Sequence, residues 1–217
     1  SKSYTLKAER KLNMSDDFSF GFGGDYSYNK GDFDIKGNWG SSAKGHSDNI
    51  GIFSNFGYKI FDNTFLSAHL RGDSHKYSQE NLTYRLNITK LTKNFDISLS
   101  ESTGLRHPDL FVLHGSNPSG TFKSMKTTKP ETSLTREISA KLKFNDNISF
   151  ESNAYKSHIS DVLNRSTSTG GYNEIIDINQ EGLENNFTIS GKDQKISLFN
   201  SFSKSREGNG KPQLRLS

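Results

Sequence analysis

Large aromatic residues alternate with small or polar ones from Phe18 onward: Phe18, Phe20, Phe22, Tyr26 and Tyr28 fall on one side, and Ser19, Gly21, Gly23, Asp25 and Ser27 on the other. A two-residue period sends successive side chains to opposite faces of an extended chain, so this stretch predicts a strand between two different media. The same period runs before and after it. Tyr4, Leu6, Ala8 and Leu12 alternate with Thr5, Lys7, Glu9 and Lys11; further apolar series are Ile50 to Ile60, Leu66 to Leu70, Leu82 to Ile88, Phe95 to Leu99, Leu134 to Phe144, Ile148 to Ala154 and Leu183 to Ile189. With Lys195 to Ser205 and a beginning at Pro212 to Ser217, the chain predicts about eleven antiparallel strands.

The connections fall into two kinds that take turns along the chain. Asn13 to Asp17, Phe61 to Asn63, Thr92 to Asn94, Asn145 to Asn147 and Gly191 to Gln194 are short and rich in Asn, Asp and Gly, residues that tolerate tight-turn backbones. Between them lie longer polar stretches: Asn29 to Asn49, where Phe33, Ile35 and Trp39 are expected to extend the strands into a small hairpin beyond the main sheet, Gly72 to Gln79, and Arg165 to Gly171. The longest, Leu99 to Ser133, holds three of the four prolines (Pro108, Pro118, Pro130) and an apolar knot of Leu110, Phe111, Val112 and Leu113. It reads as an ordered loop at one rim. Consecutive antiparallel strands with one short-turn rim and one long-loop rim are the pattern of an up-and-down transmembrane β-barrel. A β-sandwich or lipocalin-like barrel also alternates, but its turns need not segregate by length.

Composition sharpens the choice. Only 30% of residues are hydrophobic while 12% are aromatic, and mean hydropathy is -0.76. Such a chain lacks the apolar content for a conventional interior, yet it is too rich in Phe, Tyr, Ile and Thr for disorder. A wet interior with an apolar band outside reconciles the two. Arg71, Arg85, Glu137, Glu151 and Glu184 accordingly fall in the polar register. Arg136 and Lys156 fall in the apolar one, toward the long-loop ends of their strands, where the cost of a cation falls from about 2–4 kcal/mol at the bilayer midplane to about 0–1. No apolar run is long enough for a transmembrane helix, and the first residues, SKSYTLKAERK, contain no signal-peptide apolar segment.

Catalytic and metal chemistry find little support. The chain has no cysteine, and its six histidines (His46, His69, His75, His107, His114, His158) lack metal-ligand spacing. His158 and Ser160 would need an Asp to complete a hydrolase triad, and nothing else points to one. Gly21, Gly23 and Gly24 lack the spacing and following helix of a nucleotide site. The net charge of +4 is spread without basic blocks, which gives no nucleic-acid signature.

Two phrases then carry a family resemblance. Arg106, His107, Pro108, Leu110, Leu113, His114 and Gly115, followed by Asn117 and Pro118, and then Lys129, Pro130, Glu131, Thr132 and Ser133, resemble the strand-end and strand-start phrases of TonB-dependent outer-membrane receptors. Asn179, Glu181, Gly182, Leu183 and Glu184 resemble a later signature of that family. His107 stands where the family has a small residue, and Ser119 to Thr128 are inserted on the loop side. In strand and loop layout the chain resembles the cobalamin receptor group.

The resemblance implies a bacterial outer-membrane active transporter for cobalamin or an iron chelate such as a ferric siderophore. It implies a plug inside a barrel of about 22 strands and an N-terminal box that engages the TonB complex. Neither plug nor box is visible in residues 1–217, so the chain is expected to be a middle portion of such a barrel. No enzyme activity and no cofactor are implied. Partners would be membrane lipid, the transported ligand and, through the plug and box, TonB. Ligand contacts are expected from Arg106, Asp109, Phe111, His114 and Asn117 on the long loop, with Trp39 and Tyr172 on neighbouring loops. Mixed aromatic and hydrogen-bonding groups suit a large amphipathic ligand. The plainer role for Leu110, Phe111 and Leu113 is packing the loop on the rim, with Pro108, Gly115 and Pro130 shaping it. A passive channel and a soluble β-rich binding module remain the other functional classes.

Overall fold

The computed structural model describes residues 1–35, 41–116, 129–165 and 172–208. Ten long strands run as one antiparallel meander: β1 (Lys2–Asn13), β2 (Phe18–Ile35), β3 (Ser41–Phe61), β4 (Thr64–His75), β5 (Asn81–Leu91), β6 (Phe95–Arg106), β8 (Glu131–Asn145), β9 (Ile148–Arg165), β10 (Tyr172–Ser190) and β11 (Lys195–Glu207). Between β6 and β8 lie a short helix, α1 (Leu110–His114), and a two-residue strand, β7 (Gly115–Ser116), which pairs with β3. The all-β, up-and-down architecture is thus an eleven-stranded open sheet with β1 and β11 at its edges, a portion of a transmembrane barrel wall. The strand expected at Pro212 to Ser217 lies outside the described residues.

Register explains why the alternation folds this way. Leu12, Phe20, Phe56, Ala68 and Leu86 form one cross-strand row, and Leu99, Ile138, Ala154, Leu183 and Phe202 form another. Rows on the opposite face carry Ser100, Glu137 and Tyr155, or Asp96, Lys141, Glu151 and Asn186. On the apolar side Phe56, Leu86 and Ile138 remain 37%, 47% and 44% exposed. The buried apolar residues among those described are Ala43, Phe53, Val112, Leu113 and Ile178, all on the polar-register face or in α1. The greasy face therefore does not close on a dry centre. It is the lipid side of the wall.

Strand lengths depart from expectation on one side only. The tight turns stand where the sequence places them, with Gly191 N–H donating to the Gln194 carbonyl at 2.7 Å and Asn147 N–H to Asn145 Oδ1 at 2.9 Å. At the other rim, Asn29 to Asn49 extends the flanking strands: β2 and β3 continue in register, without a break from the main sheet, up to the Ile35–Ser41 pair. Strands of 18 and 21 residues exceed the roughly 9–11 needed to cross a bilayer, leaving about 25 Å of wall beyond it. Leu99 to Ser133 likewise divides, its ends joining β6 and β8. Where both faces meet water the apolar contrast fades, although backbone pairing continues.

Candidate functional site at the long-loop rim

Three inner-face rows below the rim meet in one ion network. Asp25, Gly51 and Asp73 pair across β2, β3 and β4, and Lys7 of β1 extends the row. Arg71, two residues before Asp73, donates from Nε and Nη2 to Asp73 (2.8 and 2.7 Å) and from Nη1 and Nη2 to Asp25 (2.6 and 3.0 Å). Two bidentate carboxylate contacts occupy four of the five N–H donors of the planar guanidinium. Glycine at position 51 makes this possible, because a Cβ there would overlap the guanidinium. Asn49 Nδ2 adds a 2.8 Å hydrogen bond to Asp73.

Above the network the connection after β6 turns inward. Gly31 and Gly45 face each other across β2 and β3, and the missing side chains leave a floor for α1: Leu110 lies over Gly31 and the His114 ring over Gly45. Asp109 caps α1, its Oδ1 accepting from Val112 N–H at 2.8 Å, while Val112 and Leu113 are buried. β7 then takes the edge of β3 left free above the end of β4, through the pairs Ala43–Gly115 and Ser42–Ser116.

This crossing covers the short β4–β5 connection. His107 stacks on His75 with ring centroids 4.3 Å apart, and its Nδ1 lies 3.1 Å from Ser78 Oγ. Tyr77 meets the His114 ring edge-on at 5.2 Å. The Nε2 atoms of His107 and His114 are buried without a hydrogen-bond partner among the described residues. Burial, and secondarily the neighbouring His75, hold the His107 imidazole below the ordinary histidine range. No group of three or more potential metal ligands occurs among the described residues.

Of the residues expected to contact ligand, the structure brings four together. Arg106 ends β6, is largely exposed, and pairs with Glu131 at 3.2 Å. Asp109 serves as the helix cap, Phe111 is half-buried on α1, and His114 closes α1 over β3. Tyr172 is the first residue of β10, paired in backbone register with Arg165 rather than sitting in a loop. Trp39 and Asn117 lie outside the described residues. Sequence reasoning missed the joint placement of Asp25, Asn49, Arg71, Asp73, His75 and Tyr77. No signal along the chain marked it: on its own strand Gly51 shares a face with Ser47, Asn49, Phe53 and Asn55, and the charges beside it come from β2 and β4.

A profile described as TonB dependent receptor-like, beta-barrel, matches residues 2–197. No protein of curated function matches the chain by sequence. Among solved structures, the siderophore receptor PirA from Pseudomonas aeruginosa superposes with a TM-score of 0.72 at 13% identity, over 94% of this chain and 42% of that one. The ferric enterobactin receptor mutant PfeA from Pseudomonas aeruginosa, in complex with enterobactin, gives 0.73 at 15% identity, over 94% and 38%. The FrpB iron transporter from Neisseria meningitidis gives 0.66 at 15% identity, over 92% and 34%. The chain thus spans between 34% and 42% of the length of these structures. The family match covers most of the chain and the open β-wall agrees with it, so the chain belongs to the TonB-dependent receptor-like β-barrel family.

Proposed function

We propose that the chain is a middle portion of a bacterial outer-membrane active transporter. Its plug, TonB-engaging box and remaining strands would lie outside residues 1–217. The observation that carries this reading is the docking of α1 on the Gly31–Gly45 floor, which sets a polar and aromatic rim over the inner face. Arg106, Phe111, His114 and Tyr77 there offer cationic, aromatic and hydrogen-bonding contacts to a ligand too large for a simple pore. Asp109 holds α1 in place, and Trp39, Asn117 and Tyr172 would complete the ring.

A ferric siderophore is the favoured cargo. A cation such as Arg106 suits the negative charge of many iron chelates, and the similar solved structures named above are siderophore or iron receptors. Cobalamin is the second cargo, on the strand and loop layout alone. No side chain takes part in bond chemistry. The wall binds and orients, while energy would arrive through the plug and TonB.

The test is uptake by cells lacking their own receptors and expressing the receptor that contains this chain. Labelled ferric enterobactin and labelled cobalamin are supplied in parallel, with and without TonB. TonB-dependent accumulation of the iron chelate supports the reading. Cobalamin alone would reassign the cargo, and accumulation indifferent to TonB would make the protein a passive channel.

A further inference from the structure

The outward face carries a cationic patch where the apolar band ends. Glu101, Arg136, Lys156, Glu181 and Lys204 form one cross-strand row from β6 to β11, directly above the apolar row that runs from Leu99 to Phe202. One row farther up come Thr103, Leu134, His158, Asn179 and Arg206. On β8 to β11 the charged row lies roughly ten residues from the tight turns, which at about 3.3 Å per residue and a tilt of about 40° is a height of about 25 Å, the full apolar band of such a barrel. The patch therefore sits at the headgroups of the leaflet on the long-loop side.

Its charge is unbalanced. Arg136 pairs with Glu101 at 2.6 Å, and Lys204 with Glu181 at 3.8 Å. Lys156 and Arg206 are exposed and have no carboxylate within ion-pair distance among the described residues. In these two rows four cations face two carboxylates, and with the exposed Asp177 one row farther up the patch keeps a net positive charge. On β2 to β5 the same height is held by Tyr26, Ile52, Gly72 and Leu82, with no cation, so the patch is local to one side of the wall.

A recess adjoins it. β5 and β6 part above the Arg85–Ser102 pair, and a hollow of about 210 Å³ opens there, lined by Leu82, Thr103, Leu105, Leu134, His158 and Ser160 among others. Ser160 Oγ lies 3.1 Å from His158 Nε2, and His158 Nδ1 lies 2.9 Å from Asn179 Oδ1. This is the pair that a hydrolase triad would need to extend with an Asp. The third member is an amide, which carries no charge to balance an imidazolium, so the chain reads as a hydrogen-bonding rail. Cations, hydroxyls and leucines thus adjoin one another just above a lipid-facing wall.

We propose that this patch and recess seat the phosphorylated headgroup of a membrane lipid, with its acyl chains against the apolar rows below. A ligand reaching Arg136 and Lys156 from the bilayer has to be amphipathic, and the excess positive charge selects an anionic head. A free phosphate would gain nothing from Leu105, Leu134 or the apolar rows. The inference rests on the wall's place in a membrane and is independent of the transported cargo.

The test uses the intact receptor purified in a neutral detergent and native mass spectrometry after addition of phosphatidic acid, diacylglycerol or inorganic phosphate. The expected result is retention of phosphatidic acid several-fold above diacylglycerol, undiminished by inorganic phosphate. Arg136→Gln with Lys156→Gln lowers that preference at least about fivefold, while Glu181→Gln, which removes a competing carboxylate, raises it. Equal retention of the two lipids, displacement by inorganic phosphate, or a preference unchanged in both variants overturns the proposal. Iron-chelate uptake measured on the same variants separates a failure here from a failure of the transport reading.

Discussion

Arg71 fills the space that Gly51 leaves empty. The guanidinium lies across the glycine and joins two aspartates, Asp25 and Asp73, that face each other over it on flanking strands. Asp73 is almost fully buried, its side chain 6% exposed, so the wall at this point depends on one cation held between two anions.

Removing that cation leaves two carboxylates facing each other with little solvent. Arg71→Met is expected to cost about 3 kcal/mol, read as a shifted urea midpoint for the receptor in lipid vesicles. Gly51→Ala costs about 1–3 kcal/mol by crowding the guanidinium. In the Arg71→Met background the alanine costs much less, because its clash partner is gone.

The rim carries a pH dependence through His107. Burial lowers its folded pKa, so the unfolded loop binds the proton more readily than the folded one. The stabilisation is complete above the unfolded value, about 6.5, and is lost as pH falls through the folded one. The proton would enter beside His75 and Arg71, with Asp73 a nearby anion and Ser78 the hydrogen-bonding neighbour. Amides of residues 107–116 are expected to lose hydrogen-exchange protection, relative to strand amides, between pH 7 and 5. In His107→Gln that loss disappears.

A side chain at position 45 would strike the His114 ring. Gly45→Val is expected to lift α1 from the inner face while the strands below stay paired. Limited proteolysis should then cut within residues 107–130 at least about tenfold faster, a loss of about 1–2 kcal/mol of local stability, with little change in the urea midpoint.

Asp109 and Arg106 separate architecture from ligand contact. Asp109→Ala removes a helix cap worth about 1 kcal/mol, and Asp109→Asn restores it. If uptake follows the cap, the asparagine variant transports normally. Arg106 is 73% exposed and its pair with Glu131 adds at most about 1 kcal/mol. Arg106→Gln should leave stability unchanged and weaken ferric-siderophore binding several-fold, measured by titration against the receptor.

The wall was legible because a bilayer enforces strict alternation: each lipid-facing position from Phe18 to Tyr28 has to be apolar, and each inner one is free to be small or charged. The tight turns were legible from Asn, Asp and Gly alone. Above the headgroups that constraint lapses, so the paired run of Lys30, Asp32 and Asp34 looked like a loop although β2 and β3 continue through it. The functional rim was legible as a stretch, through its prolines and apolar knot, but not as a shape. Leu110 on Gly31 and Gly115 on Ala43 join segments far apart in sequence, and no local pattern marks which glycines form a floor. The Arg71 network was hidden for the same reason, since Asp25, Gly51 and Asp73 become neighbours only once the register of three strands is set.

The central claim is the direction in which the apolar register points. The chain contains no cysteine, so spin labels can be placed one by one at Leu86, Asn87, Ile138 and Glu137 in the receptor reconstituted in lipid vesicles. Accessibility is then read to oxygen dissolved in the bilayer and to a water-soluble nickel chelate. The account predicts that labels at Leu86 and Ile138 respond to oxygen and are shielded from nickel, whereas those at Asn87 and Glu137 do the opposite. Oxygen-shielded labels at Leu86 and Ile138, with Asn87 and Glu137 facing lipid or bulk solvent, would contradict it.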